Sequence, residues 1–135
     1  PRLEAVRSTR GGTGDGTPMG SPNIEAQPAQ LSYFEAIQEW DTFAWIWDSA
    51  QLAWHANEVP ITQRGRLLRM DRLVQQRSGA WWVLDYKSNA QPQQDAALCA
   101  QLLGYRDAVA LANPGQVVRA AFLTPQGQLI ELTPA

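Results

Sequence analysis

Apolar and polar residues divide the chain into a sparse N-terminal stretch and a patterned remainder. Residues 1–31 contain five of the ten glycines together with Pro18, Pro22 and Pro28, and their apolar residues follow no period. Burial in such a segment is too small to offset the entropy that is lost on ordering. We therefore expect residues 1–31 to form a flexible linker or tail and residues 32–135 to form the folded domain.

Helical and strand patterns alternate through this domain. Ser32 followed by Glu35 is a capping-box signature, and apolar residues at imperfect helical spacing continue the pattern to Asp48. A weaker strand pattern over 52–61 includes Pro60, which favours the end or the edge of a strand. The other predicted elements are strands over 66–74, 80–87, 117–123 and 129–132, a turn over 75–79 and a helix with Pro92 in its first turn that ends at Ala112. The order of one helix, three strands, one helix and two strands predicts an α/β fold with a mixed central sheet flanked by helices.

Composition limits the classes of protein to which the chain can belong. Its 135 residues fit one domain, and a net charge of −2 excludes a strongly basic coat for nucleic acid. Cys99 is the only cysteine, which excludes an intrachain disulfide framework and favours a reducing, intracellular setting. No apolar run approaches the ~20 residues of a membrane span, and no signal peptide is visible. Because the chain begins with Pro1 rather than Met, we expect it to be a fragment of a longer protein.

The predicted hairpin places two acidic residues across from each other. If the turn is centred on Ser78, residues equidistant from it face each other, and Asp71 then lies opposite Asp85. Facing side chains in an antiparallel pair have Cβ atoms ~4.5–5.5 Å apart, where two like charges are destabilising. A divalent cation turns this repulsion into attraction, and carboxylate oxygens suit Mg²⁺ or Mn²⁺. The pattern therefore indicates a metal site on this hairpin.

Lys87 lies two residues after Asp85, so both side chains project from one face of the predicted strand. It is the only lysine in the chain, since the other ten basic residues are arginines. Lysine is a compact charge whose pKa can shift, whereas arginine does not lose its proton in practice. A site that needs a compact charge, or an amine that orients a water, would therefore require lysine at this position. The alternative interpretation is a lysine that is present by chance at a strand end.

These motifs resemble the signature of the PD-(D/E)XK nucleases. The segments that carry the resemblance are Gly65–Leu73, with its aspartate, and Asp85-Tyr86-Lys87-Ser88. Gln101-Leu-Leu-Gly-Tyr105 matches a QxxxY element, and Asn57–Ile61 is similar to a glutamate-bearing first strand. The likeness covers about residues 50–133 and is greatest to the RecB-like nuclease domains at the C-termini of bacterial helicase–nucleases of the UvrD/AddA type. It implies a restriction-endonuclease-like core.

The resemblance also implies roles for individual residues. Asp71 and Asp85 would be metal ligands, and the Tyr86 backbone carbonyl would be a third. Lys87 would position or activate the attacking water and stabilise charge on the phosphate. The cofactor would be Mg²⁺ or Mn²⁺.

Two further catalytic candidates lie on the second predicted helix. Gln101 and Tyr105 are four residues apart, hence on one helical face, and would line the site. The alternatives are a partly buried glutamine bonded to backbone and an ordinary core tyrosine. Glu58 is a candidate site residue from the preceding strand, with a structural role as the alternative.

Arginines and tryptophans add candidate contact surfaces. Half of the ten arginines fall within residues 64–77. Beside a phosphodiester site they could bind the DNA backbone, whereas the alternative is a solvated strand and turn. The DNA-binding candidates are Arg64, Arg66, Arg69 and Arg72. Trp45 and Trp47 are candidates for contact with the rest of a longer chain.

The implied function is metal-dependent hydrolysis of DNA phosphodiester bonds within an ATP-dependent helicase–nuclease of DNA recombination and repair. The expected partners are DNA, the helicase portion of the parent chain and other subunits of such a complex. We expect the protein to act in the bacterial cytoplasm without a membrane partner. Exonuclease action is expected ahead of endonuclease action. One departure is that RecB-like enzymes use a histidine from a more N-terminal helix, which the single histidine, His55, does not match. The alternative is therefore a catalytically inactive module that binds DNA or docks the helicase. A stand-alone restriction-type endonuclease is disfavoured.

Overall fold

A six-stranded mixed sheet runs through the computed structural model of the chain, which describes residues 33–135. The strands are β1 (Tyr33–Glu39), β2 (Leu52–Gln63), β3 (Arg66–Gln76), β4 (Trp81–Tyr86), β5 (Val118–Leu123) and β6 (Gln128–Pro134). Their spatial order is β1-β6-β5-β4-β3-β2, with β4 and β5 parallel and every other neighbouring pair antiparallel. The helices are α1 (Trp40–Phe43) and α2 (Ala96–Ala112), with 3₁₀ turns at Ala44–Trp47, Ser49–Gln51 and Pro92–Gln94. The predicted mixed α/β architecture is confirmed.

Each face of the sheet is covered by a different segment. Helix α2 packs on one face, which we call the α2 face, and buries Trp81, Val83 and Phe122 against the helix. The segment 40–51 packs on the opposite face, where Trp82 and Leu84 are buried. Because successive side chains of a strand point to opposite faces, odd-numbered residues of β4 belong to the α2 face and even-numbered ones to the other.

The helix predicted to start at Ser32 is wrong where the structure describes it. Tyr33–Glu39 is a strand, paired along its whole length with β6 from Tyr33–Pro134 to Glu39–Gln128. The Tyr33 hydroxyl also donates a hydrogen bond to the Gln93 carbonyl at 2.9 Å, which ties β1 to the segment before α2. The backbone N–H and C=O groups along β6 need hydrogen-bond partners. Residues 33–39 can supply them as a strand but not as a helix, so the strand forms despite the local helical pattern. Ser32 and the predicted linker over 1–31 lie outside the described residues.

Helix α2 begins later than the sequence predicts. Pro92 opens a 3₁₀ turn, and the α-helix starts at Ala96, where the Asp95 carboxylate accepts hydrogen bonds from the amides of Ala97 and Leu98. The helix starts after Asp95 rather than at Pro92 because the Asp95 carboxylate satisfies free amides of the first turn. The predicted end at Ala112 is confirmed. Neither helix in the described range 33–135 is long and apolar enough to cross a membrane.

The hairpin β2–β3 changes face midway along its length. It closes at Arg64–Gly65, which both have positive φ, as a two-residue turn of this kind requires. Glu58 also has a positive φ of 53° and lies opposite Asp71, where the residue-by-residue pairing of the two strands is interrupted. Val59 on β2 and both Met70 and Leu73 on β3 face α2, so the alternation of faces along β3 is interrupted between Met70 and Leu73, while the pairing with β2 keeps the same register on both sides. Strand β2 lies at the sheet edge, which accommodates Pro60 as predicted.

Candidate active site

The end of β4 carries an acidic and a basic residue on the α2 face. Asp85 is 5% exposed, and its Oδ2 lies 3.2 Å from Lys87 Nζ. The Lys87 side chain keeps about a quarter of its surface exposed, at 24%. A buried carboxylate is thus joined to an ammonium that remains open to solvent.

Asp71 reaches the same place from β3. The paired register runs from Gln75–Trp81 to Arg72–Leu84, which is the register predicted from a turn centred on Ser78. The ladder stops one pair before Asp71 and Asp85, and Asp71 Oδ2 instead accepts a hydrogen bond from the Tyr86 backbone amide at 2.8 Å. The structure therefore brings Asp71, Asp85 and Lys87 together, with the Asp71 carboxylate held by the backbone of the residue between the other two.

The electrostatics of this cluster fit a bound cation. The pKa of Asp85 is raised to about 6, first by burial and then by the neighbouring Asp71 carboxyl, while the Lys87 ammonium acts in the opposite direction. Asp85 Oδ2 is fully buried and accepts no hydrogen bond within residues 33–135, because the nearby ammonium lies outside hydrogen-bonding geometry. A hard cation beside two carboxylates would satisfy such an oxygen.

The protein ligands for such a cation are few. No group of three or more His, Cys, Asp or Glu side chains suited to a metal occurs in the described part of the chain. Two carboxylates leave several positions for water and phosphate oxygens, which is the usual pattern for protein-bound Mg²⁺. The donor set therefore fits Mg²⁺ or Mn²⁺ better than a metal that needs a complete protein cage.

Helix α2 places Tyr105 beside the acids. Tyr105 is 5% exposed, and the pKa of its hydroxyl is raised by burial and by the charges of Asp85 and Asp71, with Arg66 opposing. Gln101, one turn earlier, is exposed. Tyr105 is thus a core residue whose hydroxyl feels the charges of the acid cluster, and its role at the site stays a prediction.

A contact that the sequence did not indicate fixes α2 against the β2–β3 hairpin. Gln63 Nε2 donates a hydrogen bond to the Gly104 carbonyl at 2.8 Å. A Cβ atom at Gly104 would lie 3.0 Å from Gln63 Nε2, so the glycine allows this close approach. Because Gly104 directly precedes Tyr105, the contact helps to position the tyrosine at the acid cluster.

Glu58 and His55 lie outside the cluster. The backbone of Glu58 is opposite Asp71, but its side chain is 73% exposed and its Oε1 lies 3.5 Å from Arg69 Nη1. His55 is exposed on β2, across from Val74. The structure does not bring either side chain to Asp85 and Lys87.

Three of the four arginines predicted to contact DNA are exposed on the β2–β3 hairpin, namely Arg64, Arg66 and Arg69. Arg66 lies on the α2 face, near enough to Tyr105 to affect its pKa. Arg64 occupies the turn, and Arg69 pairs with Glu58 at the surface. The hairpin that carries Asp71 thus also carries exposed positive charge.

Arg72 does not belong with them, and its assignment to DNA binding is corrected by its burial. It is 4% exposed, and its Nε and Nη2 donate to the Ile46 carbonyl at 3.2 and 2.8 Å while Nη1 donates to Asn57 Oδ1 at 2.7 Å. Its strand partner is the apolar Leu84, and this neighbour was the signal for burial available in the sequence. Arg72 joins the segment 40–51 to the sheet.

Replacing Arg72 with methionine is therefore expected to lower the free energy of unfolding by about 2–4 kcal/mol, because a buried carbonyl and amide oxygen lose their donors. Chemical denaturation measures this change. Arg69→Met is the matched control, since its guanidinium is exposed and a change within about 0.5 kcal/mol is expected. Equal effects of the two substitutions would contradict the structural role of Arg72.

The two tryptophans predicted as contact residues differ in their surroundings. Trp45 is half-buried and packs edge-on against Trp82, with ring centroids 5.6 Å apart. Trp47 is 40% exposed and stacks on Tyr86, with centroids 6.1 Å apart and planes at 6°. Trp45 is therefore part of the packing under segment 40–51, whereas Trp47 remains at the surface.

The fold and the cluster of two acids and a lysine define a nuclease-like α/β domain. The family model for the PD-(D/E)XK nuclease superfamily matches residues 29–131, and the chain belongs to this superfamily. The predicted restriction-endonuclease-like α/β fold is thereby confirmed. No curated protein matches the chain.

Proposed function

We propose that this domain is a metal-dependent deoxyribonuclease that hydrolyses phosphodiester bonds with Mg²⁺ or Mn²⁺. The observation that carries the proposal is the buried Oδ2 of Asp85, which accepts no hydrogen bond within residues 33–135 and lies next to Asp71 and 3.2 Å from the Lys87 ammonium. In a protein without a bound cation this arrangement costs stability, since a desolvated carboxylate lies beside a second acid. A function that needs a cation at this point accounts for that cost.

The residues of the chain have separable roles in the proposed hydrolysis. Asp71, Asp85 and the Tyr86 carbonyl would hold the cation, which when bound supplies Lewis-acid chemistry and lowers the pKa of a coordinated water. The Lys87 ammonium has three N–H donors, so it can contact Asp85 and still orient a water or offset negative charge on the phosphate. Attack of water at phosphorus breaks the bond to the 3′ oxygen, which takes a proton from solvent.

The residues around this centre would hold the substrate. Arg64, Arg66 and Arg69 are exposed on the hairpin that carries Asp71, where they can contact phosphates. Tyr105, and Gln101 one turn away, would border the site from α2. Glu58 would act indirectly, by holding Arg69 at this edge.

The wider context is part of the same proposal. The likeness of the DYK and QxxxY segments to RecB-like nucleases supports a role in a bacterial, cytoplasmic helicase–nuclease of DNA recombination and repair, with exonuclease action. The chain contains no GxxxxGK[ST] motif, so ATP use and strand separation would be the work of a helicase portion or of other subunits.

A cleavage assay with end-labelled single-stranded and duplex DNA tests the proposal. Cleavage should require Mg²⁺ or Mn²⁺, stop with EDTA and disappear in Asp85→Ala and in Lys87→Ala. Asp107→Ala is the control, since this acid is 69% exposed on α2 and, among residues 33–135, its carboxylate pairs with Arg106 alone. The rival function, a catalytically inactive module for DNA binding or helicase docking, is favoured by the position of His55, the single histidine, which lies on β2 opposite Val74 and away from the two acids. It predicts DNA binding without cleavage at any metal concentration.

A further inference from the structure

An exposed aromatic pair lies at the same end of β4 as the acid cluster. Trp47 and Tyr86 are stacked with their planes at 6°, and 40% and 45% of their surfaces are exposed. Other tryptophans of the sheet are used differently, since Trp81 and Trp82 are 2% and 3% exposed and form part of the core. The pair is therefore a surface feature that core packing does not require.

The position of Tyr86 links this pair to the proposed chemistry. Tyr86 stands between Asp85 and Lys87, and its backbone amide holds Asp71 at 2.8 Å. Its side chain projects to the face opposite Asp85 because neighbouring strand residues alternate. The aromatic pair and the acid cluster thus lie on two sides of one strand end, one residue apart along the chain.

The Trp47 ring is held in place by the buried Arg72. The Arg72 guanidinium carbon lies 4.6 Å from the centre of the Trp47 ring, and the same guanidinium binds the carbonyl of Ile46, the preceding residue. Arg72 forms no ion pair with any carboxylate in residues 33–135, so its positive charge is not neutralised under the ring. A fixed aromatic surface over a cation suits a ligand that has flat faces and negative charge.

We propose that Trp47 and Tyr86 form a platform on which an unpaired base of a single DNA strand stacks, across the end of β4 from the phosphate that the acid cluster would cleave. Base–aromatic stacking is tolerant of sequence because every base has a flat face. In duplex DNA these faces are already covered by neighbouring base pairs, so the platform selects unpaired nucleotides. This inference rests on the proposed nuclease function for its placement, whereas the stacking itself is measured without cleavage.

Binding in EDTA to a fluorescent oligothymidylate and to an abasic strand of equal length and charge tests the platform. The wild-type protein should bind oligothymidylate roughly 5- to 100-fold more tightly than the abasic strand. Trp47→Leu should lose this preference while its affinity for the abasic strand is unchanged, and Trp47→Phe should retain most of it. Trp40→Leu is the control, since Trp40 is 51% exposed and packs on Phe43 beside β1 and β6 rather than on Tyr86.

The outcomes separate this inference from the nuclease proposal. Equal binding of the two strands by the wild-type protein, or an unchanged preference in Trp47→Leu, overturns the platform even if the protein cleaves DNA. A preference that depends on Trp47 in a protein that never cleaves supports the platform and overturns the nuclease. Loss of both affinities in Trp47→Leu with Trp47→Phe at the same level also overturns it, because stacking requires the aromatic ring.

Discussion

DNA cleavage by Lys87→Gln is expected to fall by about 100- to 1,000-fold, which is the usual effect of removing one fixed charge from a reacting phosphate or oxyanion. The Lys87 ammonium lies 3.2 Å from Asp85 Oδ2 and is the only lysine of the chain. Its removal takes positive charge away from the cation site, so Mn²⁺ binding should not weaken. Single-turnover cleavage at saturating metal, together with Mn²⁺ titration by calorimetry, measures the two effects separately.

Two further variants sharpen the result. Lys87→Arg keeps the charge but replaces a compact ammonium with a broad planar group, so it should recover little of the lost rate. Arg77→Gln also removes one positive charge, but at the far turn of the hairpin, where Arg77 contacts the Ala50 carbonyl, and should leave the rate intact. If Lys87→Gln cleaves at the wild-type rate, lysine has no part in the reaction.

Asp85→Asn should have opposite effects on activity and on stability. Cleavage and the metal-induced rise in Tm should be lost, because a neutral amide replaces a metal ligand. Without metal at pH 8, the variant should unfold with a free energy about 2–3 kcal/mol higher than the wild type, since the buried carboxylate no longer has to be ionised. Chemical denaturation in EDTA measures this gain.

The contribution of Asp85 to the free energy of unfolding changes with pH in a definite direction. The pKa of Asp85 is about 6 in the folded protein, above the usual value of ~3.9 in an unfolded chain. The folded state therefore binds the proton more tightly, and the associated stability is present below pH ~4 and is lost as pH rises through about 6. The advantage of Asp85→Asn should accordingly shrink on acidification. Asp107→Asn, an exposed acid, should show no such trend, and a constant difference between Asp85→Asn and wild type would contradict the burial argument.

Local rules explain why much of the central hairpin was predictable. Alternating residues define a strand, and a short turn fixes which residues face each other, so the register around Ser78 followed from the sequence and is the register observed. The approach of Asp71 to Asp85 follows from this register, and the face shared by Asp85 and Lys87 follows from the alternation of side chains along a strand. The same rules could not show that the ladder ends at Arg72, where the next residue, Asp71, lies opposite Glu58 with its positive φ on a different strand.

Contacts between distant segments were beyond these rules. The capping-box signature at Ser32–Glu35 is a local signal, and pairing of Tyr33–Glu39 with β6 overrode it. Arg72 fitted a pattern of exposed arginines until the segment 40–51 covered it. Stacking of Trp47 on Tyr86 likewise depends on how that segment returns across the sheet.

The sequence by itself determined the mixed α/β class, the central hairpin with its register, and the chemistry of two acids with one lysine. These properties depend on side-chain period and turn position, which act over a few residues. The tertiary structure alone decided the strand β1, the burial of Arg72, the outward position of Glu58 and the aromatic pair beside the acids. Each of these depends on which distant backbone or side-chain groups remain unsatisfied, and that is settled only when the whole sheet has assembled.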